Sequence, residues 1–119
     1  MMKLKVLPKS QRKHYHYLVL DIKSDEKLSK KVFTSIIWNA CIRFQGENNT
    51  SNFNLWVIDL IERDSNAFYN EYSAIVRFQR EFEDEVRSSL ALVNNFNKKA
   101  ISITTIGVSG TIKGCNKFI

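Results

Sequence analysis

The sequence predicts an α+β protein of the ferredoxin-like (split βαβ) class, in which the elements follow the order β-α-β-β-α-β. In that class two helices cover one face of a four-stranded antiparallel sheet. Four segments rich in β-branched and aromatic residues alternate with two segments whose apolar residues recur every three or four positions. The length of 119 residues fits a single domain with one core. We expect a basic leader over residues 1–14, the core over 15–108 and a basic C-terminal tail over 109–119.

The first strand and the first helix are predicted within residues 15–46. The strand covers residues 15–22 and carries apolar side chains on both of its faces. Ser24 is a candidate N-cap, because Asp25 and Glu26 follow it where the helix dipole favours acids, and Gly46 suits the C-cap. The apolar stripe of this helix, which we expect to face the core, consists of Leu28, Val32, Phe33, Ile36, Ile37, Ala40, Cys41 and Phe44.

The second half of the chain supplies the remaining predicted elements. In order, these are a polar loop over residues 46–52, a strand over 54–61, a polar connector over 62–72, a strand over 73–79, a helix from Glu81 to about Asn94, and a strand over 100–108. The second and third strands are expected to pair as a hairpin. The apolar positions Phe82, Val86, Leu90 and Val93 give the second helix one core-facing side.

The net charge of +6 is concentrated at the two ends of the chain. Residues 1–31 hold nine Lys and Arg against three acids, residues 87–119 hold five against none, and residues 32–86 hold four against nine. Basic ends suit a bound polyanion such as RNA, although solvated lysines on the ends explain the same pattern. There is no apolar run of about 20 residues for a membrane helix and no secretory signal pattern, so we expect an intracellular protein. Cys41 and Cys115 are expected to be reduced thiols.

The sequence contains no convincing cluster of side chains for catalysis. His14 and His16 lie two apart on a strand, which is better explained by surface or half-buried histidines than by a metal site. The acids from Glu81 to Glu85 complement a helix N-terminus rather than bind a metal. No metal and no cofactor are predicted. A stand-alone nuclease or an acylphosphatase-like enzyme would need a phosphate loop, which Gly107-Val108-Ser109-Gly110 does not provide.

The predicted sheet lacks the sequence pattern of a conventional RNA recognition motif. Its third strand has no Lys/Arg-Gly-Phe/Tyr-Gly/Ala-Phe sequence, so stacking of bases on the sheet is not predicted. Apolar residues on both faces indicate instead that the face without helices meets another protein, through Tyr15, Tyr17 and Val19. Half-exposed surface tyrosines are the alternative.

The C-terminal tail carries a second set of candidate contacts. Small hydroxyl and glycine residues allow backbone amides to approach a phosphate, and lysines add positive charge. The candidates for RNA contact in the tail are Ser109, Gly110, Thr111, Lys113 and Lys117. An ordinary solvated C-terminus explains the same residues equally well.

Two linked motifs resemble those of a known family. The first is Ser73-Ala74-Ile75-Val76-Arg77-Phe78-Gln79-Arg80-Glu81, and the second, beyond the next helix and strand, is Val108-Ser109-Gly110-Thr111-Ile112-Lys113. The first strand adds Tyr17-Leu18-Val19-Leu20-Asp21-Ile22, which is similar to the family pattern Tyr-Leu-Leu-x-Glu-Ile. Together they resemble the small RRM-like protein subunit of ribonuclease P and ribonuclease MRP, of the Pop-five/Rpp-fourteen type, with the Pop-five branch favoured.

The resemblance implies a noncatalytic subunit of ribonuclease P that supports a catalytic RNA in removing the 5′ leader from precursor tRNA. It implies as partners the catalytic RNA and a TIM-barrel-like protein subunit, with precursor tRNA as an indirect partner. A role shared with ribonuclease MRP, and so in rRNA processing, stays open. The location would be the nucleus or nucleolus in a eukaryote and the cytoplasm in an archaeon. The leader would add RNA contacts through Lys3, Lys5, Lys9, Arg12 and Lys13. The alternative function is a ferredoxin-like interaction or oligomerisation module without a specific RNA.

Overall fold

The computed structural model describes residues 14–63 and 68–119, and within them the protein has an α+β architecture. The strands are β1 (Tyr15–Ser24), β2 (Trp56–Glu62), β3 (Asn70–Gln79), β4 (Asn95–Phe96) and β5 (Lys99–Ser109). The helices are α1 (Lys30–Gln45), α2 (Glu47–Ser51), α3 (Glu83–Ala91) and α4 (Ile112–Cys115), with 3₁₀ turns at Arg80–Phe82 and Asn116–Phe118. The strands form an antiparallel sheet in the order β2-β3-β1-β5-β4. None of the helices described is long and apolar enough to cross a membrane.

Strand β1 lies at the centre of the sheet and has two apolar faces, as predicted. Its partners are β3 on one side and β5 on the other. Leu18 and Leu20 point to the inner face, which α1 and α3 cover, whereas Val19 points to the outer face. All three side chains are fully buried, because each face of the strand is covered by another part of the chain.

The inner face and the two longer helices enclose the main core. The predicted stripe of α1 is largely confirmed, since Phe33, Ile37 and Cys41 are fully buried there. Helix α3 contributes Val86 and Leu90 to the same cluster. Two helices on one face of the sheet therefore shield its inner surface from water, and burial of these apolar side chains is the main force that holds the layers together.

The predicted N-cap of the first helix is wrong, because the chain stays extended beyond Ser24. Ser24 is the last residue of β1 and is paired with Asn70 on one side and Ile101 on the other. Helix α1 begins five residues later, at the N-cap Ser29, whose Oγ accepts a hydrogen bond from the Val32 N–H at 3.2 Å. The predicted C-cap Gly46 is confirmed, with φ of 85° and its N–H donating to the Ile42 carbonyl at 2.9 Å.

The new N-cap gives a testable prediction. We expect Ser29→Ala to lower the free energy of unfolding by about 1 kcal/mol, because the first turn of α1 loses its side-chain acceptor. Urea unfolding followed by circular dichroism measures this. The matched control is Ser35→Ala on the exposed side of the same helix, where we expect no loss because alanine favours the helix. Equal losses in the two variants would contradict the assignment of Ser29 as the cap.

The sheet has five strands rather than the predicted four. The additional strand β4 forms a two-residue hairpin with the start of β5, pairing Asn95 with Ala100 and Phe96 with Lys99. The connecting residues Asn97 and Lys98 have φ of 51° and 65°. Both central residues of a type I′ turn require positive φ, and the sequence signal usually sought for that turn is Asn-Gly, which this hairpin lacks. Helix α3 ends at Ala91, before the predicted Asn94, because the chain must turn into β4.

Two predicted connections also differ from the structure. The polar loop over residues 46–52 contains the short helix α2, which is followed by the fully buried Phe53. The predicted hairpin of β2 and β3 is confirmed, but β2 extends to Glu62 and β3 begins at Asn70, so the connector is shorter than expected. Residues 64–67 of that connector lie outside the described residues.

Candidate nucleic-acid interface

The C-terminal segment, defined here as residues 110–119, folds back on the outer face of the sheet. Helix α4 and the following 3₁₀ turn place Cys115 against Val19 and Ile75, and all three form one buried cluster. Tyr17, Ile58 and Phe118 are partly buried around it. The segment expected as a tail is therefore structured, and it covers part of the sheet face that was predicted to be open.

Two hydroxyl groups hold the start of this segment. The Ser109 Oγ accepts a hydrogen bond from the Thr111 N–H at 3.2 Å, and the Thr111 Oγ1 accepts one from the Gly114 N–H at 3.0 Å. Gly114 packs directly against both hydroxyl groups, which leaves no room for a Cβ atom. A hydroxyl that accepts such a bond still has its own O–H to donate. Ser109 and Thr111 can therefore fix the turn and donate to a phosphate at the same time.

The predicted RNA contacts of the tail are gathered at one corner of the molecule. Thr111, Lys113 and Lys117 are exposed, and Gly110 beside them is also exposed. In the part of the chain described, neither lysine forms an ion pair, and the Lys117 Nζ lies 5.1 Å from the centre of the Phe118 ring. The corner therefore presents two uncompensated positive charges next to hydroxyl and amide donors. The predicted leader contacts Lys3, Lys5, Lys9, Arg12 and Lys13 lie outside the described residues.

The three residues predicted to meet a protein partner have different environments. Tyr15 is half-buried and lies beneath Arg77, whose Cζ is 4.4 Å from the ring centre. Tyr17 is half-buried beside the C-terminal segment. Val19 is fully buried under Cys115, so a partner could reach it only by displacing the segment. The alternation of the strand put these residues on the outer face correctly, but it carried no information about what covers that face.

The histidines and acids considered in the sequence do not converge on a reaction centre. His16 points to the inner face and meets Phe78 edge to face at 6.3 Å between ring centres. Glu83 lies in the first turn of α3 and forms a surface ion pair with Arg87 at 3.0 Å. Within residues 14–63 and 68–119, no group of three or more His, Cys, Asp or Glu side chains is arranged to hold a metal ion.

Both cysteines are free thiols with raised pKa values. Burial in the core raises the pKa of Cys41 to about 11, and the side-chain interaction with Ser89 acts in the opposite direction. Burial also raises the pKa of Cys115. Because the thiolate is the reactive form, both thiols are expected to react slowly while they stay covered.

Sequence reasoning missed the residues that attach the C-terminal segment. Gly107 on β5 lies beneath the Phe118 ring, and a Cβ atom added there would be 2.6 Å from three ring carbons. Cys115 and Phe118 supply the apolar contacts. The available signal was the apolar Phe118-Ile119 end after a glycine-containing stretch, which is too short to identify a docking segment by periodicity.

Comparisons with known proteins agree with these observations. The model of the Rpp14/Pop5 family matches residues 16–119. "Ribonuclease P protein component 2" of Methanobrevibacter smithii is 57% identical over 99% of this chain and 98% of its own length. The protein of the same name from Pyrococcus abyssi is 37% identical over 98% of this chain and 92% of its own length.

A solved structure shares the fold. A chain in the cryo-EM structure of yeast ribonuclease MRP superposes with a TM-score of 0.58 and 14% sequence identity, covering 87% of this chain and 79% of that one. At this identity the likeness concerns the fold alone. The family match covers the sheet, both longer helices and the C-terminal segment, and the two relatives align over nearly their whole length. The chain therefore belongs to the Rpp14/Pop5 family.

Proposed function

We propose that this protein is a noncatalytic, RNA-binding subunit of ribonuclease P that supports the catalytic RNA in removing 5′ leaders from precursor tRNA. The observation that carries the proposal is the full-length similarity to relatives named ribonuclease P protein component 2.

The exposed corner formed by β5 and the C-terminal segment is the proposed phosphate-binding surface. Lys113 and Lys117 supply charge, while Ser109, Gly110 and Thr111 supply hydroxyl and backbone donors. Each lysine placed on a phosphate releases condensed counterions, which is the main source of affinity for a nucleic-acid backbone. Hydrogen bonds from hydroxyls and amides would orient the protein on the RNA. The leader lysines and Arg12 are proposed to extend this surface.

The proposed protein partner is the TIM-barrel-like subunit of ribonuclease P. Contact through Tyr15 and Tyr17 requires no movement of the main chain, whereas contact through Val19 requires the C-terminal segment to detach. We propose an intracellular location, the cytoplasm, because the relatives compared above are archaeal. Three further points stay predictions: assignment to the Pop-five branch, a shared role in ribonuclease MRP, and a nuclear location in a eukaryote.

We also propose that residues 15–108 form the ferredoxin-like core of a single domain. The order β2-β3-β1-β5 in the sheet and the position of α1 and α3 on one face support this class. Strand β4 and the C-terminal segment are then additions to the class rather than parts of it.

The test of the function is purification of the tagged full-length protein from its own cell extract, followed by sequencing of the bound RNA. We expect one abundant structured RNA, with precursor-tRNA cleavage activity in the same eluate. Recovery of no RNA, or of bulk RNA that is lost in moderate salt, would contradict the proposal. Salt-independent self-association under those conditions would favour the alternative of an interaction module.

The phosphate-binding corner makes a quantitative prediction. We expect the double change Lys113→Ala and Lys117→Ala to reduce the slope of log K against log salt concentration by up to about 2, because two phosphate contacts are lost. Filter binding of the ribonuclease P RNA at several salt concentrations measures the slope. The matched control changes Lys98 and Lys99, an exposed pair at the turn between β4 and β5, to alanine. A slope that falls equally in both double variants would mean that net charge, rather than this corner, determines binding.

A further inference from the structure

A continuous row of side chains crosses four strands on the outer face of the sheet. The register pairs Trp56 of β2 with Arg77 of β3, and it pairs Arg77 in turn with Tyr17 of β1. Tyr17 is paired with Ser109 of β5. Because directly opposed side chains in a sheet have Cβ atoms only about 5 Å apart, the four residues are neighbours. We call them the cross-strand row, and it ends at the loop that leads into α4.

Arg77 is held in this row by stacking rather than by hydrogen bonds. Its guanidinium lies over the Tyr15 ring, with Cζ 4.4 Å from the ring centre. Its Nε is shielded from solvent without a hydrogen-bond partner, and the side chain donates no hydrogen bond to any residue in the described ranges. Its terminal N–H groups are therefore available to a ligand. A guanidinium can stack on a base and can also bind a phosphate through two parallel hydrogen bonds.

Trp56 adds an exposed aromatic surface at the edge of the sheet. Its side chain is 61% exposed, and its strand β2 is the outermost strand on that side of the sheet. Unpaired bases stack on aromatic rings and on arginine planes, and such stacking tolerates any base. Trp56, Arg77 and Tyr15 therefore offer the side-chain types from which sites for single-stranded RNA are built.

The charge of the row itself and of residues 109–119 favours RNA over a protein partner. Trp, Tyr and Arg also dominate the binding energy of protein interfaces, so residue type alone does not separate the two classes. No acidic residue occupies the row or the loop and segment over residues 109–119, whereas Arg77, Lys113 and Lys117 carry positive charge there. A polyanion is the complement of such a surface, which favours RNA.

We propose that the cross-strand row binds an unpaired nucleotide of the RNA partner. The base stacks on Trp56 and on the Arg77–Tyr15 pair, and the adjacent phosphates contact the Arg77 terminal N–H groups and the loop that begins at Ser109. The proposal rests on the proposed function, assigns Tyr15 and Tyr17 to the RNA rather than to the protein partner proposed above, and adds a base-stacking site next to the phosphate-binding corner. The chain lacks the sequence pattern of a conventional RNA recognition motif, and the proposal does not need it. Arg77 takes the place of the motif's aromatic residue on the third strand, and the exposed ring is that of Trp56 on the neighbouring strand β2.

The test compares single-stranded and paired RNA with the full-length protein. The probes are a fluorescein-labelled oligouridylate of about 12 nucleotides and a fully paired, labelled duplex of the same length. Fluorescence anisotropy at low salt measures the affinity of the protein for each probe. We expect Trp56→Leu to weaken binding of the single strand by about tenfold or more and to leave duplex binding unchanged, because one stacked base is lost. Arg77→Lys keeps the charge but loses the plane, so we expect weaker binding with an unchanged salt slope.

The control variants are Leu92→Ala, an apolar residue that is 57% exposed on another surface, and Arg87→Gln on α3. Neither should affect single-strand binding beyond the small effect of net charge. Normal affinity of both Trp56→Leu and Arg77→Lys for the single strand would overturn the proposal, while intact binding of the ribonuclease P RNA would leave the proposed function standing. Loss of binding to the TIM-barrel-like subunit without any loss of RNA binding would assign the row to a protein partner instead. Failure of the wild-type protein to bind any of these RNAs would contradict both proposals.

Discussion

Phe53→Ala should lower the free energy of unfolding by about 3–5 kcal/mol, which is a large fraction of the stability of a small domain. Phe53 is fully buried between α2 and β2, and its ring packs against Phe82 with 5.1 Å between the ring centres. Its carbonyl accepts a hydrogen bond from the Gln79 N–H at 2.7 Å. Truncation leaves a cavity that these fixed neighbours cannot fill. Urea unfolding monitored by circular dichroism gives the change.

The size of this effect distinguishes a residue of the core from a residue of a loop, and in the sequence Phe53 falls between the polar loop predicted over residues 46–52 and the strand predicted over residues 54–61. The matched control is Phe44→Ala in the last turn of α1, whose side chain is 38% exposed, and there we expect a loss of about 1 kcal/mol or less. Phe53→Leu retains most of the apolar volume and should cost less than about 1.5 kcal/mol. Similar losses for Phe53→Ala and Phe44→Ala would contradict the burial of Phe53.

Gly107→Val should detach the C-terminal segment from the outer face of the sheet. A Cβ atom at position 107 would be 2.6 Å from the Phe118 ring, and valine adds two methyl groups beyond it, so the ring must move. Overpacking of this kind costs about 1–3 kcal/mol. Because Cys115 belongs to this segment and is buried between it and the sheet, we expect a disulfide reagent at pH 8 to label its thiol about tenfold faster or more in the variant.

The labelling experiment carries its own internal reference. Cys41 lies in the main core with a pKa of about 11, so its labelling requires global unfolding and should change much less than that of Cys115. Both thiols become more reactive as the pH rises, since the raised pKa values keep them protonated at neutral pH. The matched control is Gly110→Ala, where the nearest atoms to an added Cβ are 3.9 Å away in the His16 ring. Unchanged labelling of Cys115 in Gly107→Val would show that Phe118 does not attach the segment.

Detachment of the segment would also affect the proposed function. The segment carries Lys113 and Lys117, and it lies beside Tyr17 of the cross-strand row. Gly107→Val should therefore release Lys113 and Lys117 from their fixed position beside the cross-strand row and uncover Val19 at the same time. A protein partner that uses Val19 would bind this variant better than the wild type, and an RNA partner that uses the corner would bind it less well.

The local patterns of the sequence determined which face of each strand or helix a side chain occupies. A strand alternates its side chains with a period of two and a helix with a period of 3.6, so the placement of Leu18 and Val19 on opposite faces and of Phe33 and Ile37 on one helix face could be predicted from spacing alone. The C-cap Gly46 could also be predicted, because a glycine after an apolar stripe is a local signal. The motifs around Arg77 and Ser109 were sufficient to indicate the family, which the comparison over residues 16–119 confirmed.

The tertiary structure decided the features that depend on contacts between distant parts of the chain. Whether Ser24 ends a strand or caps a helix depends on its pairing with Asn70 and Ile101, which lie far away in the sequence. Likewise, the cross-strand row exists only because the register aligns four strands, and the C-terminal segment is attached because Phe118 finds a glycine on β5. Local periodicity specifies which face of an element is apolar. It does not specify which distant residues will cover that face, because pairing and docking depend on the summed free energy of contacts that form only when the whole chain is folded.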